Sequence, residues 1–240
     1  MTSMSTPPGE LVAERVRRQH DVVAGYRILG SYGWGDDGSG HISARDPEHT
    51  DSFWLLRYRV AFSSATTDDL VLVGPDRSLR HGDGWLNPAA YFIHHPIHQA
   101  RPDIVGVVHT HTGYGTPFST LCTPLVAMSQ EACAFHHDQA VFAAEDLDIV
   151  DLEAGGRLAT ALGPNRLLVL ANHGLLTVAP TVGQAVAFFV LAERAAEVQV
   201  KCPGGRVVSD ESANRTYASI GTPASGDDVF GWLQRSRLER

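Results

Sequence analysis

The stretch from residue 166 to 201, "RLLVLANHGLLTVAPTVGQAVAFFVLAERAAEVQVK", restricts the fold more than any other part of the chain. "RLLVL" and "LLTVA" have the length and composition of buried strands, and they are separated by a break at Asn172, His173 and Gly174. Thr181 then opens a helical apolar run reaching Lys201, and Gln184 three positions later completes the sequence pattern of a capping box. A strand pair feeding a long capped helix points to an α/β fold.

The rest of the chain continues the alternation. Leu11, Val12, Val16, Val22, Val23 and Ile28 form an apolar stripe that predicts a helix from about Glu10 to Leu29, ended at Gly30. The Gly-rich "GSYGWGDDGSGHISARD" leads into Ile42, and "SFWLLRYRVAFS" and "DLVLVGPDRS" have strand composition, with a turn at Pro75 and Asp76. Asn87 as N-cap and Pro88 at the first helical position predict a helix to about Ala100, which Pro96 should kink or shorten. "DIVGVVHTH" reads as a buried strand and "LDIVDLEAGGRLATALG" as a helix closed by Gly163. With 240 residues and no internal repeat, one domain is expected over 1–240, with its core at about 10–200. The Gly- and Ser-rich segment from Pro203 onward is expected to be a tail or an interface segment.

Composition removes several function classes. A net charge of −8, with basic clusters only at Arg15, Arg17, Arg18 and the tail from Arg235 to Arg240, argues against a nucleic-acid surface. No signal-peptide pattern opens the chain and no apolar run reaches membrane-spanning length, so the expectation is a cytoplasmic protein with no membrane partner. Cys122, Cys133 and Cys202 are odd in number and lack C-x-x-C spacing, which speaks against a disulfide framework or a cysteine zinc site.

Histidine is the anomaly. Of 12 histidines, eight lie between residues 81 and 137. His109 and His111, one residue apart at the end of an apolar strand, project to the same side, with α-carbons roughly 7 Å apart. They can converge on one ion if the strand end curls and a third ligand joins them. His173, where "RLLVLAN" breaks, is the best third ligand, with Gly174 freeing the backbone to turn. If both strands end at the same edge of a sheet, the three imidazoles meet with a coordination position to spare.

"GSGHISARDPE", "ARPDIVGVVHTHTGYGTPFS" and "VLANHGLLTVAPTVGQAVAFFVLAERAAEVQ", in this order and spacing, resemble the class II aldolase/adducin family over roughly residues 10 to 200. The resemblance implies an α/β fold, a three-layer α/β/α sandwich with a largely antiparallel central sheet. That differs from a parallel sheet, in which the two strands would end at the same edge. It also implies one divalent metal ion per subunit (Zn, Fe, Mn or Co) on His109, His111 and His173, and a homo-oligomer, typically a tetramer.

The departures from the family pattern bear on the reaction. Pro88, Ala89 and Ala90 stand where sugar-phosphate aldolases of the family carry a Ser-Ser-Glu-like stretch, so the acid/base carboxylate and the phosphate-holding hydroxyls are missing. The family's substrate-touching Gly-Asn is here Gly40 and His41, an imidazole replacing an amide. A dication on three neutral histidines can still bind a bidentate acid and stabilise charge on oxygen as a carbon–carbon bond breaks. The first expectation is therefore a divalent-metal-dependent lyase, a decarboxylase or aldolase, acting through a metal-stabilised enolate on a small non-phosphorylated hydroxy- or keto-acid, aromatic acids included. Gly40 and His41 are the substrate-binding candidates, and His41, Tyr114 and Glu131 are the candidates for the proton donor. His94 is expected to orient structure, and His95, His98, His136 and His137 have no assigned role. One alternative keeps the metal as Fe(II) in a non-haem oxygenase that shortens the side chain of an aromatic acid in secondary metabolism, although three histidines differ from the usual two-histidine, one-carboxylate set. The other is a non-catalytic, adducin-like interaction module, against which the three histidines count.

Overall fold

The computed structural model describes residues 7–145 and 147–239. In chain order the elements are α1 (Pro8–Ser31), β1 (Gly40–Arg45), β2 (Phe53–Leu56), β3 (Leu70–Val73), β4 (Leu79–His81), α2 (Pro88–Ala100), β5 (Gly106–Thr110) and the short α3 (Gly115–Ser119). A 3-10 turn at Glu131–Phe135 precedes β6 (Gln139–Phe142), α4 (Leu152–Leu162), β7 (Leu167–Leu170), β8 (Gly174–Ala179), α5 (Val182–Lys201), α6 (Asp210–Ile220) and α7 (Pro223–Leu238).

The strands form one sheet in the order β4-β3-β2-β1-β5-β8-β7-β6, and every neighbouring pair is antiparallel except β6 with β7. Alternation along each strand divides its side chains between two helical layers. Val108, Leu167, Val169 and Leu175 pack with α1, α5 and α7 on one face, while Val107, Leu168, Leu176 and Val178 pack with α2 and α4 on the other. The architecture is thus the three-layer α/β/α sandwich with a largely antiparallel sheet.

Local chemistry explains most element boundaries and four departures from expectation. Thr181 caps α5 by accepting from the Gln184 backbone N–H, but the Gln184 amide donates to Asp227 at 3.0 Å, so the long helix is tied to α7 by the residue expected to close the box. α2 runs through Pro96 to Ala100. The proline removes the partner of the Phe92 carbonyl, and Gly155 of α4 packs against that oxygen so tightly that any Cβ there would overlap it. "SFWLLRYRVAFS" is a strand only to Leu56; Arg59 takes a left-handed φ of 72° and turns the chain into a 3-10 turn at Phe62–Ser64. The segment after Pro203 carries α6 and α7 instead of a tail, and Phe230 and Leu233 of α7 are buried in the main core.

Candidate metal centre

β5 and β8 run antiparallel with Thr110 opposite Leu175, so the C-terminal end of one lies beside the N-terminal end of the other. His109 and His111 sit at and just beyond the end of β5, and His173 sits in the β7–β8 turn just before β8. The antiparallel register therefore gathers residues that a parallel sheet would gather at two C-terminal ends. The turn is made by Asn172, whose φ of 57° is left-handed, and not by Gly174. The Asn172 N–H donates to the Ser119 carbonyl at 3.3 Å and the His173 N–H to the Leu170 carbonyl at 3.0 Å, which fixes where the third imidazole emerges.

The three rings stand nearly perpendicular to one another, with centroids 5.4 Å apart for His109 and His111 and 4.8 Å for each with His173. One nitrogen from each lies within 4.8 Å of the others, so the described residues can hold a metal ion there with small rotations of the rings. His109 Nδ1 donates to the Leu175 carbonyl at 2.8 Å, which makes Nδ1 the protonated nitrogen and leaves the Nε2 lone pair for a ligand. Burial pushes the His109 imidazole well below the usual histidine range and His173 down to about 4, with neighbouring imidazoles adding to both; burial also lowers His111. All three are thus neutral donors near neutral pH, as a divalent cation requires.

Beyond the histidines lies a buried carboxylate that no motif in the sequence marks. Glu193, in the middle of α5 and buried, accepts from Thr112 Oγ1 at 2.6 Å, the Tyr114 N–H at 2.9 Å and the Gly115 N–H at 2.7 Å. Burial raises its carboxyl and these three bonds act against the rise. It pins the turn that follows His111.

A second set of imidazoles runs from the centre into the layer between the sheet and α2. His41 pairs with His109 across β1 and β5, and the two ring centroids are 5.1 Å apart. His41 Nδ1 lies 2.5 Å from His94 Nε2, His94 Nδ1 lies 2.5 Å from Ser43 Oγ, and Ser43 Oγ lies 2.9 Å from His98 Nε2. All four side chains are buried, and burial holds the three imidazoles well below their usual range. Such a chain needs one proton per contact and can be filled in two directions. With the protons running from His98, His41 Nε2 carries N–H toward the centre; with the reverse polarity, His41 Nε2 presents a lone pair. The far end, His98 Nδ1, is buried without a hydrogen-bond partner, so the chain stops inside the protein.

Gly40, beside His41, has a φ of 124°, and a Cβ there would collide with Thr110. Glycine lets β1 approach β5 at this point and brings His41 against His109. Ala90 is fully buried and lines the same cavity as His41, together with Arg57 and Arg59. Arg57 pairs with Asp69 at 2.6 Å, whereas Arg59 lies over the Trp85 ring at 5.5 Å and has no carboxylate partner among the described residues.

The other proton-donor candidates stand apart from this cluster. The Tyr114 ring packs under Lys201 at 4.7 Å, and its phenol meets the Glu197–Lys201 pair on α5. Glu131 opens the 3-10 turn packed between α5 and α6, and makes no hydrogen bond or ring contact with the three histidines among the described residues.

Residues 20–200 match the model of the class II aldolase and adducin N-terminal domain. The chain is 34% identical over 219 residues to a 4-hydroxy-3-prenylphenylpyruvate oxygenase/4-hydroxy-3-prenylbenzoate synthase of Streptomyces roseochromogenus subsp. oscitans, an alignment covering 89% of this chain and 79% of that one. It is 33% identical over 219 residues to the decarboxylase NovR of Streptomyces niveus, covering 89% and 81% of the two chains. Among solved structures, L-fuculose 1-phosphate aldolase from Glaciozyma antarctica PI12 superposes with a TM-score of 0.85 at 30% identity, covering 100% of this chain and 95% of that one. No helix of the described residues is long and apolar enough to cross a membrane.

Proposed function

As the chain belongs to the class II aldolase/adducin family, we propose that it is a divalent-metal-dependent carbon–carbon lyase, a decarboxylase in preference to an aldolase, acting on a small non-phosphorylated hydroxy- or keto-acid. The observation that carries this reading is the continuity of His109, His111 and His173 with the His41–His94–Ser43–His98 chain, beside a fully buried Ala90. His109, His111 and His173 would hold the cation, which when bound draws off negative charge developing on a substrate oxygen as a carbon–carbon bond breaks. Decarboxylation needs no base to start it, only a proton for the carbon that has lost carbon dioxide, and so does not require a glutamate at position 90.

His41 is the residue that supplies that proton. Its Nε2 is the free nitrogen at the end of the chain nearest the metal ligands, and transfer from it leaves a lone pair there. That transfer leaves the imidazole one proton short, and water entering the cavity restores it; His94, Ser43 and His98 hold the tautomer in which His41 Nε2 carries N–H and supply no proton themselves, because the chain ends at the unpartnered His98 Nδ1. Arg59, with no acidic partner and a left-handed φ of the kind held at functional sites, is positioned to grip a carboxylate in the cavity that Ala90 and His41 line. The absence of the hydroxyls at positions 88 and 89 fits an acid better than a phosphate ester. Tyr114 and Glu131 take no part in this reading.

The oxygenase reading uses the same three histidines and is favoured by the oxygenase activity for which the Streptomyces roseochromogenus relative is named. The two are separated by incubating metal-loaded protein with 3-oxo acids, whose loss of carbon dioxide leaves an enolate, and with 2-oxo and 2-hydroxy acids, following carbon dioxide release under argon and oxygen uptake in air. Anaerobic release that is lost in His41→Phe with metal content unchanged supports the lyase. Turnover only with oxygen consumption refutes it in favour of the oxygenase.

A further inference from the structure

The geometry points to a second divalent-metal site, sharing no residue with the first, formed by His136, His137 and Asp210. His136 follows the 3-10 turn at Glu131–Phe135, and Asp210 is the first residue of α6. Adjacent residues in extended chain point to opposite sides, but His137 adopts a left-handed φ of 59°, and the two rings come to 4.0 Å between centroids. Both Nε2 atoms converge on one carboxylate oxygen: Asp210 Oδ1 is 3.0 Å from His136 Nε2 and 3.6 Å from His137 Nε2. For ligand bonds near 2.0 to 2.1 Å, tetrahedral donors stand roughly 3.3 Å apart, a spacing that these two distances bracket. The donor atoms all lie within 4.8 Å of one another, so the third edge closes with a modest ring rotation.

The contact with Asp210 does not already satisfy His136. Its Nε2 is buried and off the line of a hydrogen bond, so it has no hydrogen-bond partner despite the 3.0 Å separation. Two donors aimed at a common third point have that geometry. Asp138, the nearby acid in sequence, is committed elsewhere, accepting from Tyr217 and the Arg166 backbone and pairing with Arg166 at 3.2 Å. Two imidazoles and one carboxylate suit a zinc-like borderline cation and leave a fourth position. That position faces a groove of about 390 Å³ lined also by Val126, Val207 and Val208. The ion would clasp the chain leading into β6 to the start of α6, joining the C-terminal helices to the body of the domain.

Titration of the untagged, chelator-stripped full-length chain with zinc and with cobalt(II) tests the site. His137 and Asp210 have side chains 70% and 71% exposed, so His137→Ala and Asp210→Asn leave the core untouched. The wild-type chain should bind one equivalent more than either variant, with a cobalt d–d absorption component that disappears in both, and His109→Ala should keep that component. An equal number of equivalents in the wild type, His137→Ala and Asp210→Asn overturns the proposal, whatever happens at His109, and leaves an ordinary histidine–carboxylate contact.

Discussion

Glu193→Ala separates the support of the candidate centre from its ligands. The carboxylate is buried and accepts from one hydroxyl and two backbone N–H groups of the turn that follows His111. Its removal takes the acceptor from the Thr112 hydroxyl and the Tyr114 N–H, while the Gly115 N–H keeps Thr112 Oγ1 at 3.2 Å. Each lost acceptor would cost about 1–3 kcal/mol if nothing rearranged, but the burial that raises the Glu193 carboxyl is relieved at the same time, so the net loss should fall near 2–4 kcal/mol. Glu193→Gln keeps the shape and one acceptor oxygen while turning an NH2 toward donors, and should cost about 1–3 kcal/mol. Because the turn sets the direction of His111, metal affinity should fall on the order of 10–100-fold in the glutamine variant, the usual effect of losing a group that orients a ligand. Urea unfolding of the metal-free chain gives the first quantity and zinc titration of the folded variant the second. A loss below about 1 kcal/mol in Glu193→Ala, or wild-type metal affinity in Glu193→Gln, would refute the idea that this carboxylate organises the ligand turn.

Two further outcomes follow from the same geometry. Gly40→Ala forces a Cβ into Thr110 at a φ of 124°, so it should destabilise the chain by about 2–4 kcal/mol by urea unfolding and weaken His41-dependent turnover; a variant as stable as the wild type would contradict the close β1–β5 approach. The buried imidazoles predict acid sensitivity. Their folded values lie below 6.5, reaching about 4 for His173, so the unfolded chain binds more protons between those limits; stability of the metal-free chain is full above about pH 6.5 and falls as pH drops toward about 4. The slope should approach about 1.4 kcal/mol per pH unit for each histidine held neutral, and a thermal midpoint that is flat from about pH 7 to 5 would contradict it.

Much of this organisation is legible in the sequence because it is local. Apolar runs mark β5, β7 and β8, Asn87 and Thr181 mark helix starts, and His109, His111 and His173 are visible as polar residues at strand breaks. What escapes the sequence depends on which face meets which. His41 and Ser43 alternate along β1, and His94 and His98 lie one turn apart on α2, so each pair was readable; that α2 lies over β1, joining them into one chain, was not. Glu193 is one acid on a long helix, and only the fold brings it to a turn 81 residues earlier in the chain. Tyr114 has the expected neighbours in sequence, but its side chain points along α5 toward Lys201. The C-terminal helices did leave signals beneath their Gly- and Ser-rich composition: Ser209 before Asp210 and Glu211, and Thr222 before Pro223, are helix starts, and both hydroxyls accept capping bonds.

The most direct test of the central claim is the metal content of the purified chain against His173→Ala, the ligand contributed by the β7–β8 turn. The turn should stay intact when the imidazole is removed, because the left-handed Asn172 and the backbone bonds of the turn hold its shape. Elemental analysis should show one equivalent of divalent metal fewer in His173→Ala, together with loss of turnover and an unchanged unfolding curve for the metal-free proteins. The same number of equivalents in both would contradict a metal centre built on His109, His111 and His173.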